Sequence, residues 1–135
     1  MPTRILVDTS FVIALINQRD QRHREAQKLA NKFEGHPLLI TEAVLLEVGN
    51  AMARSYKKKA IQIIEDFLTS DEVEIVHLSQ PLFNEAFMLY KQYQDKEWSL
   101  VDCASFAVMG QRGLLEAFTT DHHFEQAGFV CLLKA

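Results

Sequence analysis

Four carboxylates stand at positions where an acid needs an explanation: Asp8, Glu47, Asp102 and Asp121. Glu47 is the most informative. From Ala43 to Ala53 the chain reads AVLLEVGNAMA, in which only Glu47 and Asn50 are polar. On a helix the neighbours of Glu47 at three and four residues are Ala43, Val44, Asn50 and Ala51, so no solvated charged face surrounds it. A glutamate set among apolar residues is rarely left unpaired. It calls for a cation such as Arg54, a hydrogen-bond network or a metal. Asp102 lies in SLVDCASFAVM, where Ser99, Asp102 and Ser105 share one face of an otherwise apolar helix. Asp102 falls in that helix's first turn, where the dipole favours negative charge. Four oxygen-donor acids with no His or Cys at ligand spacing suit a hard cation, Mg²⁺ or Mn²⁺. Such ions activate water and stabilise both oxygens of an in-line displacement, which makes phosphodiester hydrolysis the natural chemistry.

Each acid also has a plainer reading. Asp8 could form an Asx turn or cap the next helix. Asp102 could complete a capping box with Ser99. Asp121 could simply open a loop. Taken together, the four are hard to explain as independent caps.

The elements that must position these acids follow from apolar periodicity. Ile5 to Val7 is a short buried strand running into Asp8. Phe11 to Ile16 and Arg22 to Phe33 read as helices, and Leu38 to Ile40 as a second strand. Thr41 caps a helix from Glu42 to Ser55, and a further helix spans Lys57 to Ser70. Val73 to His77 is a third strand. A helix runs from Pro81 to about Tyr93, and Gln94 to Trp98 is a loop. Ser99 caps a helix that ends at Arg112, before Gly113. Ala117 to Thr119 is a fourth strand, a polar segment follows from Asp121 to Gly128, and Val130 to Leu133 is the last strand. This alternation predicts an α/β fold with a mostly parallel central sheet of four to five strands flanked by helices. Parallel strands would deliver Asp8, Asp121 and the helix carrying Glu47 to one sheet edge, where α/β proteins bind ligands.

Composition sets bounds. The 135 residues suit one compact domain, and 48% hydrophobic with 24% charged residues is ordinary for a soluble protein. The net charge of -4 opposes nucleic-acid binding mildly, although bound divalent cations would invert the local field. Cys103 and Cys131 form no disulfide or zinc pattern and read as reduced thiols. The N-terminus MPTRILVDTS has no signal-peptide layout, and no apolar run reaches the ~18 residues of a membrane span. A soluble cytoplasmic protein with no membrane partner is expected.

At these residues the sequence resembles the PIN-domain nucleases, in particular the toxin subunits of VapBC-type toxin–antitoxin pairs. The matching pieces are LVDTSFVIALIN, TEAVLLEVGNAM, WSLVDCASFAVM and AFTTDHHFEQAGF, in the family's order over nearly the whole chain. The resemblance implies a single PIN-like nuclease domain over residues 1–135 and a magnesium- or manganese-dependent ribonuclease activity. Asp8, Glu47, Asp102 and Asp121 would be its catalytic metal ligands, with no departure at those four positions. Ser10 matches a supporting hydroxyl residue, and Ser99 and Thr120 would orient carboxylates or touch substrate. The resemblance also implies an RNA substrate, a homodimer and a cognate antitoxin. Some relatives carry a further acid near the third, for which Asp95 and Glu97 are the candidates.

Other features have plainer readings first. Arg54 and Lys57 to Lys59 are a solvated helix start before they are an RNA-backbone contact. His122 and His123 read as exposed loop histidines, with contact to substrate or metal as the alternative. Trp98 and Phe124 read as core or dimer packing, with base stacking as the alternative. The competing functions are a non-catalytic PIN-like RNA- or protein-binding module and a strand-end-Asp phosphatase. The phosphatase would need a second Asp where Ser10 stands.

Overall fold

The computed structural model describes residues 3–133. Its elements are β1 (Ile5–Val7), α1 (Thr9–Ile16), α2 (His23–Lys32), β2 (Leu38–Thr41), α3 (Glu42–Ala51), α4 (Lys57–Thr69), β3 (Val73–Val76), α5 (Gln80–Gln92), α6 (Leu100–Arg112), β4 (Glu116–Phe118), α7 (His123–Gln126) and β5 (Val130–Cys131). The strands form one sheet in the order β3-β2-β1-β4-β5. Every pairing in it is parallel. This is the predicted α/β architecture, with five strands and helices on both faces.

Alternation along the strands divides the core in two. Ile5, Val7, Ile40 and Phe118 face the layer that includes α1, α3 and α4, packing with Phe11, Val12, Val44, Val48 and Phe67. Leu6, Leu39, Ala117 and Cys131 face α5, α6 and α7, packing with Trp98, Phe106, Met109 and Phe124. Trp98 and Phe124 are therefore core residues, and their rings bracket Phe106 edge to face. β1 lies at the centre of the sheet, flanked by β2 and β4, which is why ILV is buried throughout. Cys103 and Cys131 are free, buried thiols. No helix among the described residues is long and apolar enough to cross a membrane.

Several boundaries differ from the periodicity reading. α1 begins at Thr9, so the chain leaves β1 through the single residue Asp8. α3 stops at Ala51 rather than Ser55. A break follows, in which Tyr56 adopts φ 65 before α4. That turn brings Ala60 and Phe67 of α4 onto the core already occupied by Val44 and Val48, which one unbroken helix could not do. β3 ends one residue early, at Val76, which pairs with Thr41, the last residue of its partner β2; His77 beyond it lies 3.1 Å from the Glu42 carboxylate. β5 is only two residues long, because its sole partner is the three-residue edge of β4.

Two caps fall where the sequence placed them. Thr41 accepts the Val44 amide with its hydroxyl. Gly113 ends α6 at φ 66, where a Cβ would strain the backbone. Replacing Gly113 with Ala is expected to cost about 1 kcal/mol, read as a lower urea midpoint with an unchanged m-value.

Candidate metal centre

Asp8 ends the central strand and is 4% exposed. It occupies the N-cap position of α1, yet its side chain makes no capping hydrogen bond. Its Oδ2 instead accepts two hydroxyls, Thr119 Oγ1 at 2.7 Å and Ser10 Oγ at 2.9 Å. Each hydroxyl is itself oriented by a backbone amide: Thr119 Oγ1 accepts Asp121 N–H, and Ser10 Oγ accepts Thr120 N–H. With an amide proton pointed at each oxygen, both hydroxyl protons are directed to the carboxylate.

Asp102 sits in the first turn of α6 and is 7% exposed. The capping box is present: Ser99 Oγ accepts the Asp102 amide, and Asp102 Oδ2 accepts the Ser99 amide at 3.1 Å. The same Oδ2 lies 3.2 Å from His123 Nδ1. Asp121 Oδ1 accepts the His123 backbone amide at 2.9 Å and lies 3.1 Å from the same Nδ1. Among the described residues, Asp102 Oδ1 and Asp121 Oδ2 accept no protein hydrogen bond. Asp8, Thr119, Asp121, His123 and Asp102 thus form one connected chain of polar contacts at the carboxyl edge of β1 and β4.

Glu47 stands apart from that chain. It is half-buried on α3 in the wall of a cleft of about 250 Å³, whose lining includes Leu46, Leu78, Phe83, Ala86 and Val101. Among the described residues its carboxylate has no hydrogen bond and no ion pair, and Arg54 is exposed without pairing to it. Asp95 and Glu97 lie exposed in the loop before α6, Asp95 against Lys96 at 3.2 Å, and nothing ties them to the aspartates.

The supporting residues also rearrange the sequence reading. The Ser10 hydroxyl bonds Asp8, and Ser99 shares the capping box with Asp102. Thr120 reaches the site through its backbone amide, and the second hydroxyl on Asp8, beside that of Ser10, comes from Thr119, which periodicity had assigned to the strand. His122 is exposed as expected, with its Nδ1 3.8 Å from Asp121 Oδ1. His123 is not: its side chain is 18% exposed and inserted between two carboxylates.

Burial dominates the electrostatics. It pushes the Asp8 carboxyl from 3.8 up to about 6, aided by the charge of Asp102 and opposed by the Thr119 and Ser10 hydroxyls. Asp102 is also raised, by burial and by the charge of Asp121, against the Ser99 amide and His123. Burial and Asp102 push the Cys103 thiol up to about 11, which leaves it inert. Carboxylates that raise one another's pKa are relieved by a divalent cation, and oxygen donors are the set that a hard cation takes. Asp121, His122 and His123 also bring their ligand atoms within 4.8 Å of one another. The residues present therefore fit a divalent metal.

A sheet edge that gathers buried acids on a five-stranded parallel α/β fold defines a class of protein, and the PIN domain model matches residues 5–130. The chain belongs to the PIN-domain family. It is 35% identical over 128 residues to the 23S rRNA-specific endonuclease VapC20 of Mycobacterium tuberculosis, in each of two strains, covering 93% of this chain and 95% of that protein. The crystal structure of Mycobacterium tuberculosis VapC20, described as a Sarcin-Ricin loop cleaving toxin, superposes with a TM-score of 0.84 at 32% identity, over 93% of this chain and 96% of that one. VapBC2 from Rickettsia felis, bound to a promoter DNA fragment, has a TM-score of 0.64 at 16% identity over 98% of each chain, a likeness of fold.

The raised pKa of Asp8 has a definite sign for stability. Its folded value of about 6 exceeds the ordinary 3.8. The resulting stabilisation is present below about pH 4 and is lost as pH rises through about 6, a difference of roughly 3 kcal/mol. In EDTA, Asp8→Asn is expected to unfold at higher urea than the parent chain at pH 7.5. The gap should close by pH 4.

Proposed function

We propose that the chain is a Mg²⁺- or Mn²⁺-dependent endoribonuclease, working as one nuclease domain over residues 1–135 and serving as the toxin of a VapBC-type pair. The observation that carries this reading is the joining of Asp8, Asp102 and Asp121 at one sheet edge by direct and hydroxyl-mediated contacts. The 35% identity to a 23S rRNA endonuclease supports RNA as the substrate. An intracellular RNA target in turn supports a cytoplasmic location.

Each residue has a task in this reading. Asp8, Asp102 and Asp121 hold the cation, with Glu47 as the fourth acid from the α3 side. Ser10 and Thr119 keep Asp8 in one orientation, and Ser99 does the same for Asp102. The cation, when bound, draws charge from the phosphoryl oxygens and makes water a stronger nucleophile at neutral pH. Exposed Arg54, Lys57, Lys58 and Lys59 supply positive charge for the RNA backbone. The homodimer and the antitoxin need an apolar surface. Phe83, Phe87, Met88 and Tyr90 on α5, with Leu46 on α3, are exposed large side chains that supply one.

The decisive experiment incubates labelled 23S rRNA fragments with purified protein in Mn²⁺, Mg²⁺ or EDTA, beside Asp8→Asn. Cleavage should need metal and fall by about 100-fold or more in the variant. Cleavage that persists in EDTA would refute the metal-dependent reading. No cleavage with either ion, together with retained RNA binding, would make the chain a non-catalytic binding module. Thr119→Val removes one hydroxyl from Asp8 and should weaken Mn²⁺ binding by roughly 10-fold or more, as measured by calorimetry.

A further inference from the structure

The imidazole of His123 occupies an unusual place. Its Nδ1 lies 3.2 Å from Asp102 Oδ2 and 3.1 Å from Asp121 Oδ1, so that one nitrogen faces two carboxylates, one on α6 and one in the loop after β4. Donor atoms that share a six-coordinate cation at bonds of about 2.1 Å sit about 3 Å apart at adjacent positions. Nδ1 already stands at about that spacing from each of the two oxygens. The placement is also anchored. The His123 backbone amide is bonded to Asp121, and the next side chain, Phe124, is fully buried against Phe106. His122 has no comparable hold and remains at the surface.

We propose that His123 is a nitrogen ligand of the metal centre, donating through Nδ1, and that it biases the site towards transition-metal ions such as Mn²⁺ over Mg²⁺. The inference rests on the reading of the aspartates as metal ligands and adds a donor of another chemical kind. Without a cation, Nδ1 meets these carboxylates as a hydrogen-bond donor; with the imidazole proton on Nε2 instead, the same nitrogen turns its lone pair towards the place between them that a cation would take. Imidazole nitrogen suits first-row transition ions, whereas Mg²⁺ takes oxygen donors and keeps its waters. An all-carboxylate site would lack that bias. The nitrogen also lowers the negative charge gathered at the site, because it replaces what would otherwise be another anionic ligand.

The test reads the ligand directly. The full chain, stripped with EDTA and loaded with one equivalent of Mn²⁺, is examined by pulsed electron paramagnetic resonance for coupling to a bound ¹⁴N nucleus. Coupling is expected in the parent chain and in His122→Gln, and should be absent in His123→Gln. Calorimetry should show Mn²⁺ affinity falling about 10-fold or more in His123→Gln, with Mg²⁺ affinity much less affected. The proposal is overturned by absence of nitrogen coupling in the parent chain, by coupling that survives in His123→Gln, or by failure of Mn²⁺ to bind. If His123→Gln does not fold, the parent spectrum together with that of His122→Gln still decides. Cleavage of RNA without nitrogen coupling would sink this inference alone. Nitrogen coupling without cleavage would instead count against the nuclease reading.

Discussion

The carboxylate of Asp8 is closed off from water at the end of the central strand, and the neighbouring strand must answer for it. The β1–β4 register pairs Leu6 with Ala117 and Val7 with Phe118. Continued by one residue, it sets Asp8 beside Thr119, whose hydroxyl donates to Oδ2. A slip of one residue would turn Thr119 to the opposite face and present a neighbour in its place. The apolar packing that fixes this register, Phe118 against Phe11 and Phe33 on one face and Ala117 on the other, therefore also fixes the orientation of the acid. Core and site are one construction here. The strand is short because the residue after it is given to chemistry, and α1 starts directly beyond Asp8.

The same constraint makes the acids a burden in the absence of a cation. Asp8 and Asp102 are both buried, and each lies within reach of another acid's charge. Hydroxyls, a helix N-terminus and one imidazole offset part of that cost but leave both carboxyls raised. A protein selected only for stability would place apolar residues there, since buried charge is weak evidence of stabilisation. The retention of acids at the sheet edge is understandable as a site in which a cation supplies the missing counter-charge.

The fold was largely legible because its signals are local. Three short apolar runs, ILV, LLI and AFT, separated by helical periodicities, are enough to define a parallel α/β sheet. What escaped was set by tertiary geometry. Nothing in AMARSYKKK forces a helix to stop at Ala51; the core beneath α4 does. The plain readings of the acids also fared unevenly. Asp102 does form its capping box, and Asp121 does bond the amide two residues on, yet both reach His123 as well. Asp8 caps nothing. A cap and a site are thus not exclusive, because a carboxylate has two oxygens. Periodicity marks Thr119 only as the last residue of its strand, and the task of its hydroxyl shows once the register with β1 sets it beside Asp8. His123 was hidden because adjacent histidines in a polar segment look solvated until Phe124 is known to be buried.

Glu47 completes the electrostatic argument. Among the described residues its carboxylate has no partner, and it faces a cleft with apolar walls, while the cations nearest to it in sequence, Arg54 and Lys57 to Lys59, lie exposed past the end of α3. The chain as a whole carries 18 acidic against 14 basic residues. A polyanion approaching this cleft meets the unpaired Glu47 carboxylate, and the basic residues act on it across solvent that screens them within about 10 Å. A bound divalent cation reverses the sign of the field where the phosphate must sit. Under the proposed function, binding of metal and binding of RNA are therefore linked: each is weakened by the absence of the other, and the linkage is reciprocal in free energy. Under the same proposal, the negative net charge, which alone speaks against a nucleic-acid partner, would keep the metal-free protein off RNA.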